Sequence, residues 1–136
     1  MAKLRVVLAD DHRQMIEIVR ETLGEEFEVV GTAENGKQAV EAVLRLNPDA
    51  LVTDISMPVL NGLQAAKQLQ MSESRAKIIF LTIYQSRDYL DAAFSAGASG
   101  YVNKGRLYTD LIPAIHEAML GRIFISTMQP SALKMD

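Results

Sequence analysis

The 136-residue chain has no cysteine. Disulfides, thiolate metal sites and cysteine nucleophiles are therefore excluded. It has no long basic run either: 14 Lys and Arg stand against 17 Asp and Glu, a net charge of −3. That balance carries no nucleic-acid or anionic-membrane footprint, so direct nucleic-acid binding by this chain is not expected. No stretch approaches the roughly 20 apolar residues of a membrane span. The N-terminal run in MAKLRVVLADD is short and broken by Arg5, unlike a signal peptide. A soluble, cytoplasmic protein is expected. No internal repeat or low-complexity segment stands out. What the chain does have is 49% hydrophobic and 23% charged residues, a globular balance. Its length suits one domain, which would bury roughly two-thirds of its unfolded surface.

Short apolar runs alternate with helical periodicity. Leu4 to Ala9 reads as a strand buried on both faces. Met15, Ile16, Val19 and Leu23 then recur at helical spacing before Gly24. Phe27 to Gly31, Ala50 to Thr53, Lys77 to Thr82 and Ser99 to Val102 read as four more strands. Asn35 and Ser86 are placed to cap the second and fourth helices. Leu107, Leu111, Ile115 and Met119 stripe the last helix, with Pro113 inside the pattern. Pro113 removes a backbone donor and predicts a kink or a shifted start. Five β-α units with nearly all-apolar strands predict a parallel sheet with helices on both faces. The expected fold is the α/β, doubly wound, flavodoxin-like sheet of five strands in the order 2-1-3-4-5. Residues 122–136 read as a tail or linker, with an ordered start at Ile123-Phe124-Ile125.

The apolar runs end on polar residues. Asp10 and Asp11 follow the first strand, Asp54 the third, Thr82 ends the fourth and Lys104 follows the fifth. In such sheets ligands bind beyond the carboxyl ends of the strands, at the switch point between strands 1 and 3. Each residue alone has a plain reading: Asp11 as a helix cap, Asp54 as a turn former, Thr82 as a strand residue, Lys104 as a solvated side chain. Together on one edge they suit phosphate chemistry. Two carboxylates about 4 Å apart repel by roughly 4 kcal/mol at an effective dielectric near 20. A divalent cation answers that repulsion, and oxygen donors suit Mg²⁺. His12 is expected to point away as a surface residue, which disfavours Zn²⁺. Asp can accept a phosphoryl group as a nucleophile, with Lys104 and a metal neutralising charge and Thr82 bonding a phosphoryl oxygen.

The residues ADD at 9–11, TDISMP at 53–58, LT at 81–82 and GASGYVNKG at 97–105 resemble the receiver (REC, CheY-like) domain of two-component response regulators. The segments DISMPVLNG and AIHEAMLGRIFIS are most similar to the NarL/FixJ class, whose members usually carry a C-terminal helix-turn-helix. The resemblance implies that Asp54 is the phosphoacceptor. Mg²⁺ would be bound by Asp10, Asp11, Asp54 and the backbone carbonyl of Ser56. Lys104 would pair with the phosphoryl group. Thr82 and Tyr101 would form the switch, the Tyr101 ring turning inward. A histidine kinase would supply the phosphoryl group, and dimerisation or partner contacts would change. The implied function is a phosphorylation-controlled signalling switch regulating an output, transcription in a full-length protein.

The segments after Thr82 and after Lys104 depart from the family pattern. Ile83 and Tyr84 stand where a small residue usually follows the switch Thr, and Ile83 is expected to narrow access to Asp54. Ser56, two residues after Asp54, also faces that access path, and an acid is missing there that an aspartyl-phosphate hydrolase would want. Gly105 is expected to loosen the Lys104 loop. Residues 1–121 read as the receiver domain; the 15 residues after Gly121 are too few for a DNA-binding domain, so the expectation is an excised or stand-alone receiver. Competing readings are an interaction scaffold without efficient phosphorylation and a flavodoxin-like ligand module. The latter wants a phosphate-cradling loop where ADDHRQ offers two acids.

Overall fold

The computed structural model describes residues 2–126. The elements are β1 (Leu4–Ala9), α1 (Arg13–Leu23), β2 (Phe27–Ala33), α2 (Gly36–Leu46), β3 (Ala50–Thr53), α3 (Gly62–Met71), β4 (Lys77–Thr82), α4 (Arg87–Ser95), β5 (Ala98–Asn103), α5 (Leu107–Met119) and β6 (Phe124–Ile125). Short 3₁₀ turns occupy Gly24–Glu26 and Lys104–Arg106. All pairings are parallel, in the order β2-β1-β3-β4-β5-β6. The doubly wound expectation holds for the first five strands. The sheet has six rather than five, because the segment after α5 adds a two-residue strand to the free edge of β5. Most of the expected tail, 127–136, lies outside the described residues.

Alternate residues of each strand feed opposite cores, which is why the runs are apolar throughout. Val6 and Leu8 pack with Ile16, Val19, Leu111 and Ile115 under α1 and α5. Val7 and Ala9 pack with Val43, Leu69, Phe80 and Ala93 under α2, α3 and α4. Asn35 and Ser86 cap α2 and α4 as expected, accepting from the backbone N–H of Gln38 and Tyr89. Asn61 and Gln64 add a reciprocal capping box at α3.

The last helix runs unbroken from Leu107 to Met119 through Pro113, so its start is not shifted to the proline. Pro113 and Thr109, whose carbonyl would otherwise accept the missing bond, both lie on the exposed side. Water can therefore satisfy that carbonyl.

The loop after β3 is tightly cornered. Gly62 N–H donates to Ile55 O at 2.7 Å, and a Cβ on Gly62 would lie 2.0 Å from Asp54 O. Gly36 N–H donates to Leu60 O, and a Cβ there would lie 2.1 Å from that oxygen. Between these anchors Leu60 N–H bonds Pro58 O at 2.7 Å, a γ-turn with Val59 at φ 69°. A β-branched residue is strained at that φ, by about 1–2 kcal/mol. Val59 is 78% exposed, so its side chain returns little packing. Val59→Gly should relieve the strain and lose about 0.4–1 kcal/mol through unfolded-state entropy. The expected net is a gain of roughly 0.5–1 kcal/mol in urea unfolding; a loss would show that Val59 is not strained.

Candidate functional site: an acidic cleft bridged by a lysine

Backbone pairing carries the two inner acids past the strand ends. Asp10 N–H donates to Ala33 O and Asp54 N–H to Ala9 O, each at 3.0 Å, extending the ladders by one residue. Both carboxylates are thereby held in the sheet edge, 5% and 7% exposed. Such burial requires partners. Asp54 Oδ1 accepts from Ile55 N–H at 2.7 Å. Lys104 Nζ donates to Asp54 Oδ2 at 3.0 Å and to Asp10 Oδ2 at 3.1 Å. Burial pushes the Lys104 ammonium down, but Asp54 and Asp10 together outweigh it and hold its pKa above the usual lysine value.

Lys104–Arg106 form a 3₁₀ turn in which Gly105 N–H donates to Asn103 Oδ1 at 2.8 Å. Asp11 does not cap α1; the capping position is His12, in extended backbone, with no side-chain cap bond. That one-residue offset also redirects His12. Its ring is exposed, as expected, but Nδ1 lies 3.1 Å from Asp10 Oδ1 and 3.1 Å from Asp11 Oδ1, so it faces the acids rather than pointing away. Among the described residues Asp10, Asp11 and His12 offer ligand atoms within 4.8 Å of one another.

Thr82 is fully buried at the end of β4, and its hydroxyl accepts from Tyr84 N–H at 3.1 Å rather than bonding Asp54. Tyr84 O in turn accepts from Tyr101 OH at 2.8 Å, and the Tyr84 ring stacks on Tyr89 with centroids 4.2 Å apart. Burial drives the Tyr101 phenol far above its ordinary pKa. The Tyr101 ring is 3% exposed. It is already inside, so an inward turn is not a movement open to this conformation. Ile83 is 67% exposed beside Thr82, and Ser56 is exposed between buried Ile55 and Met57. Sequence reasoning missed Tyr84 as the backbone link between Thr82 and Tyr101, since its part is played by main-chain atoms.

Two carboxylates meet the Lys104 ammonium and a third, Asp11, lies beside Asp10 at His12, so the three acids and one lysine leave 3 − 1 = 2 negative charges in surplus. Such an edge can hold a hard cation and present a carboxylate to an electrophile, with a lysine in place for incoming anionic oxygens. A family model described as the response regulator receiver domain matches residues 6–116. The chain belongs to that family. It is 36% identical over 119 residues to chemotaxis protein CheY of Halobacterium salinarum, covering 88% of this chain and 98% of that protein. It is also 36% identical over 125 residues to transcriptional regulatory protein DegU of Brevibacillus brevis, covering 90% of this chain and 53% of that protein. The chain thus spans little more than half the length of such transcriptional relatives. The signal receiver domain of a response regulator, NarL, from Mycobacterium tuberculosis superposes with TM-score 0.85 at 28% identity, covering 90% of this chain and all of that one. The chain is therefore a two-component receiver domain with the CheY-like fold.

The raised Lys104 pKa has a signed consequence for stability. Its contribution is fully present below the unfolded lysine pKa, about 10.4, and is lost as pH rises through the folded value. In chelator, the difference in unfolding free energy between wild type and Lys104→Met should be flat from pH 7 to about 10 and shrink above it. A difference that grows there contradicts the bridge.

Proposed function

We propose that the chain is a phosphorylation-controlled signalling switch that accepts a phosphoryl group on Asp54 from a histidine kinase. The observation that supports this most directly is Lys104 Nζ held between Asp54 and Asp10 at one sheet edge. One Asp54 oxygen forms a bond to phosphorus as the phosphorus–nitrogen bond of the kinase's phosphohistidine breaks. Ile55 N–H keeps the other Asp54 oxygen in place, so the nucleophile is oriented before the donor arrives. Lys104 then transfers its hydrogen bonds to phosphoryl oxygens, because the new group brings about −2 of charge. The Thr82 hydroxyl, which now accepts from Tyr84 N–H, would find in a phosphoryl oxygen a charged acceptor for its own O–H. Tyr101, tied to Tyr84 O, would report that exchange to the outer face of β5 through the β4–α4 loop.

The donor set fits Mg²⁺: hard carboxylate oxygens with surplus negative charge outnumber the one imidazole, that of the exposed His12. Asp10, Asp11, Asp54 and the Ser56 carbonyl would hold the ion, which when bound offsets the charge that accumulates during transfer.

Asp54 phosphorylation would bias a pre-existing two-state equilibrium. The output would be transcription in a longer protein, through phosphorelay signalling in the cytoplasm, with residues 1–121 as the receiver unit, 122–136 as linker and a homodimer as one phosphorylated form. This chain would reach DNA only through another domain. No helix among the described residues is long and apolar enough to cross a membrane.

Incubation with Mg²⁺ and acetyl phosphate should add one phosphoryl group by intact mass, with none added in Asp54→Ala or in excess chelator. Failure of wild type with that donor and with kinases would favour the interaction-scaffold reading. Ile83→Ala should open the approach to Asp54 and speed phosphorylation and dephosphorylation by up to about tenfold, on the order of 1.4 kcal/mol in barrier. Unchanged rates would remove Ile83 as a tuner of access.

A further inference from the structure

After α5 the chain returns to the sheet. Phe124 and Ile125 pair with Gly100 and Tyr101, and Ser126 N–H donates to Tyr101 O at 2.9 Å. The Ser126 hydroxyl donates to Asp110 Oδ2 at 2.7 Å and accepts from Asn103 N–H at 3.0 Å. Ser126, Asn103 and Asp110 are all buried. A two-residue strand with one neighbour has little intrinsic stability, and Ile123 and Ile125 remain exposed. Phe124 packs against the core under α1 and α5, and the side-chain clasp at Ser126 supplies the polar hold at the end of the strand. Burial pushes the Asp110 carboxyl up, but bonds from Ser126, Arg106 and Thr109 outweigh this and keep its pKa below the usual aspartate value. The Ser126 bond is thus made to a charged acceptor, the stronger kind.

The clasp grips the Lys104 turn from both ends. Asn103, whose N–H is taken by Ser126, caps that turn through Gly105 N–H. Arg106, at its far end, donates to Asp110 at 2.9 Å. Lys104 lies between them with its ammonium on Asp54 and Asp10. We propose that residues 124–126 are a releasable strap: when Lys104 follows a phosphoryl group on Asp54, its turn shifts, the Ser126 clasp loosens and the chain after α5 is freed. This rests on Asp54 being the phosphoacceptor. The direction follows from the clasp's present state. Among the described residues no fully buried side-chain polar atom lacks a partner, so displacing Asn103 or Arg106 lengthens bonds that are made in the present arrangement. By linkage, a weakened clasp should lower the cost of the conformation that the phosphorylated form adopts.

Hydrogen exchange on the 136-residue chain tests this, with Mg²⁺ and acetyl phosphate and with phosphorylation followed by intact mass. Amides of 124–126 should exchange roughly fivefold faster in the phosphorylated protein, the ratio expected for losing about one hydrogen bond. Asp54→Ala should show no change with donor. Ser126→Ala should speed exchange there without donor, and should raise the phosphorylated fraction at limiting donor. Phosphorylation with unchanged or slower exchange at 124–126 overturns the strap and leaves Asp54 as the acceptor. Wild-type exchange in Ser126→Ala shows that the clasp does not hold the strand and overturns the strap too. If no phosphoryl group is gained, the Asp54 reading fails and takes the strap's trigger with it.

Discussion

The Lys104 ammonium between Asp54 and Asp10 is the contact on which the functional edge depends. Two carboxylates under a tenth exposed cannot share a sheet edge at neutral pH without a counter-charge. Lysine supplies one that can change partners: a point charge on a long stem, rooted in a turn that is itself tied to its neighbours. Everything around it constrains where the partners sit. The β1 and β3 ladders are extended by one residue each, Gly62 lets the chain after β3 pass against Asp54 O, and Asn103 fixes the turn from which Lys104 reaches across.

That arrangement divides the molecule into a rigid part and a poised part. The strands and the two cores are apolar and packed, and offer no alternative pairing. The poised part is polar and lies at the carboxyl ends of β4 and β5. There Thr82, Tyr84 and Tyr101 are joined through main-chain atoms, and Asn103, Arg106, Asp110 and Ser126 through side chains. The two networks share β5, so a change at its carboxyl end is felt by both the β4–α4 loop and the strand after α5.

Much of this was legible in the sequence, for physical reasons. An all-apolar run of four to six residues has few other uses than a doubly covered strand, and a charge at its end must be at the sheet edge. Asp10, Asp54, Thr82 and Lys104 therefore fell where expected. His12 did not, because it precedes α1 as the capping residue rather than lying in its first turn, and in extended backbone it turns back on the acids. The sixth strand is two residues long and carries no period of its own. The Asp110–Ser126 bond joins residues 16 apart that have no shared pattern. Pro113 looked disruptive because sequence alone does not say that its turn faces water.

The chain has no tryptophan and four tyrosines, and three of the four, Tyr84, Tyr89 and Tyr101, crowd around the β4–α4 loop, while Tyr108 is exposed on α5. Three of its four phenol chromophores therefore sit in the region that would move, with no indole to mask their near-ultraviolet absorption and circular dichroism. A stacked pair and a buried, hydrogen-bonded phenol make that loop optically distinct without a label or a substitution.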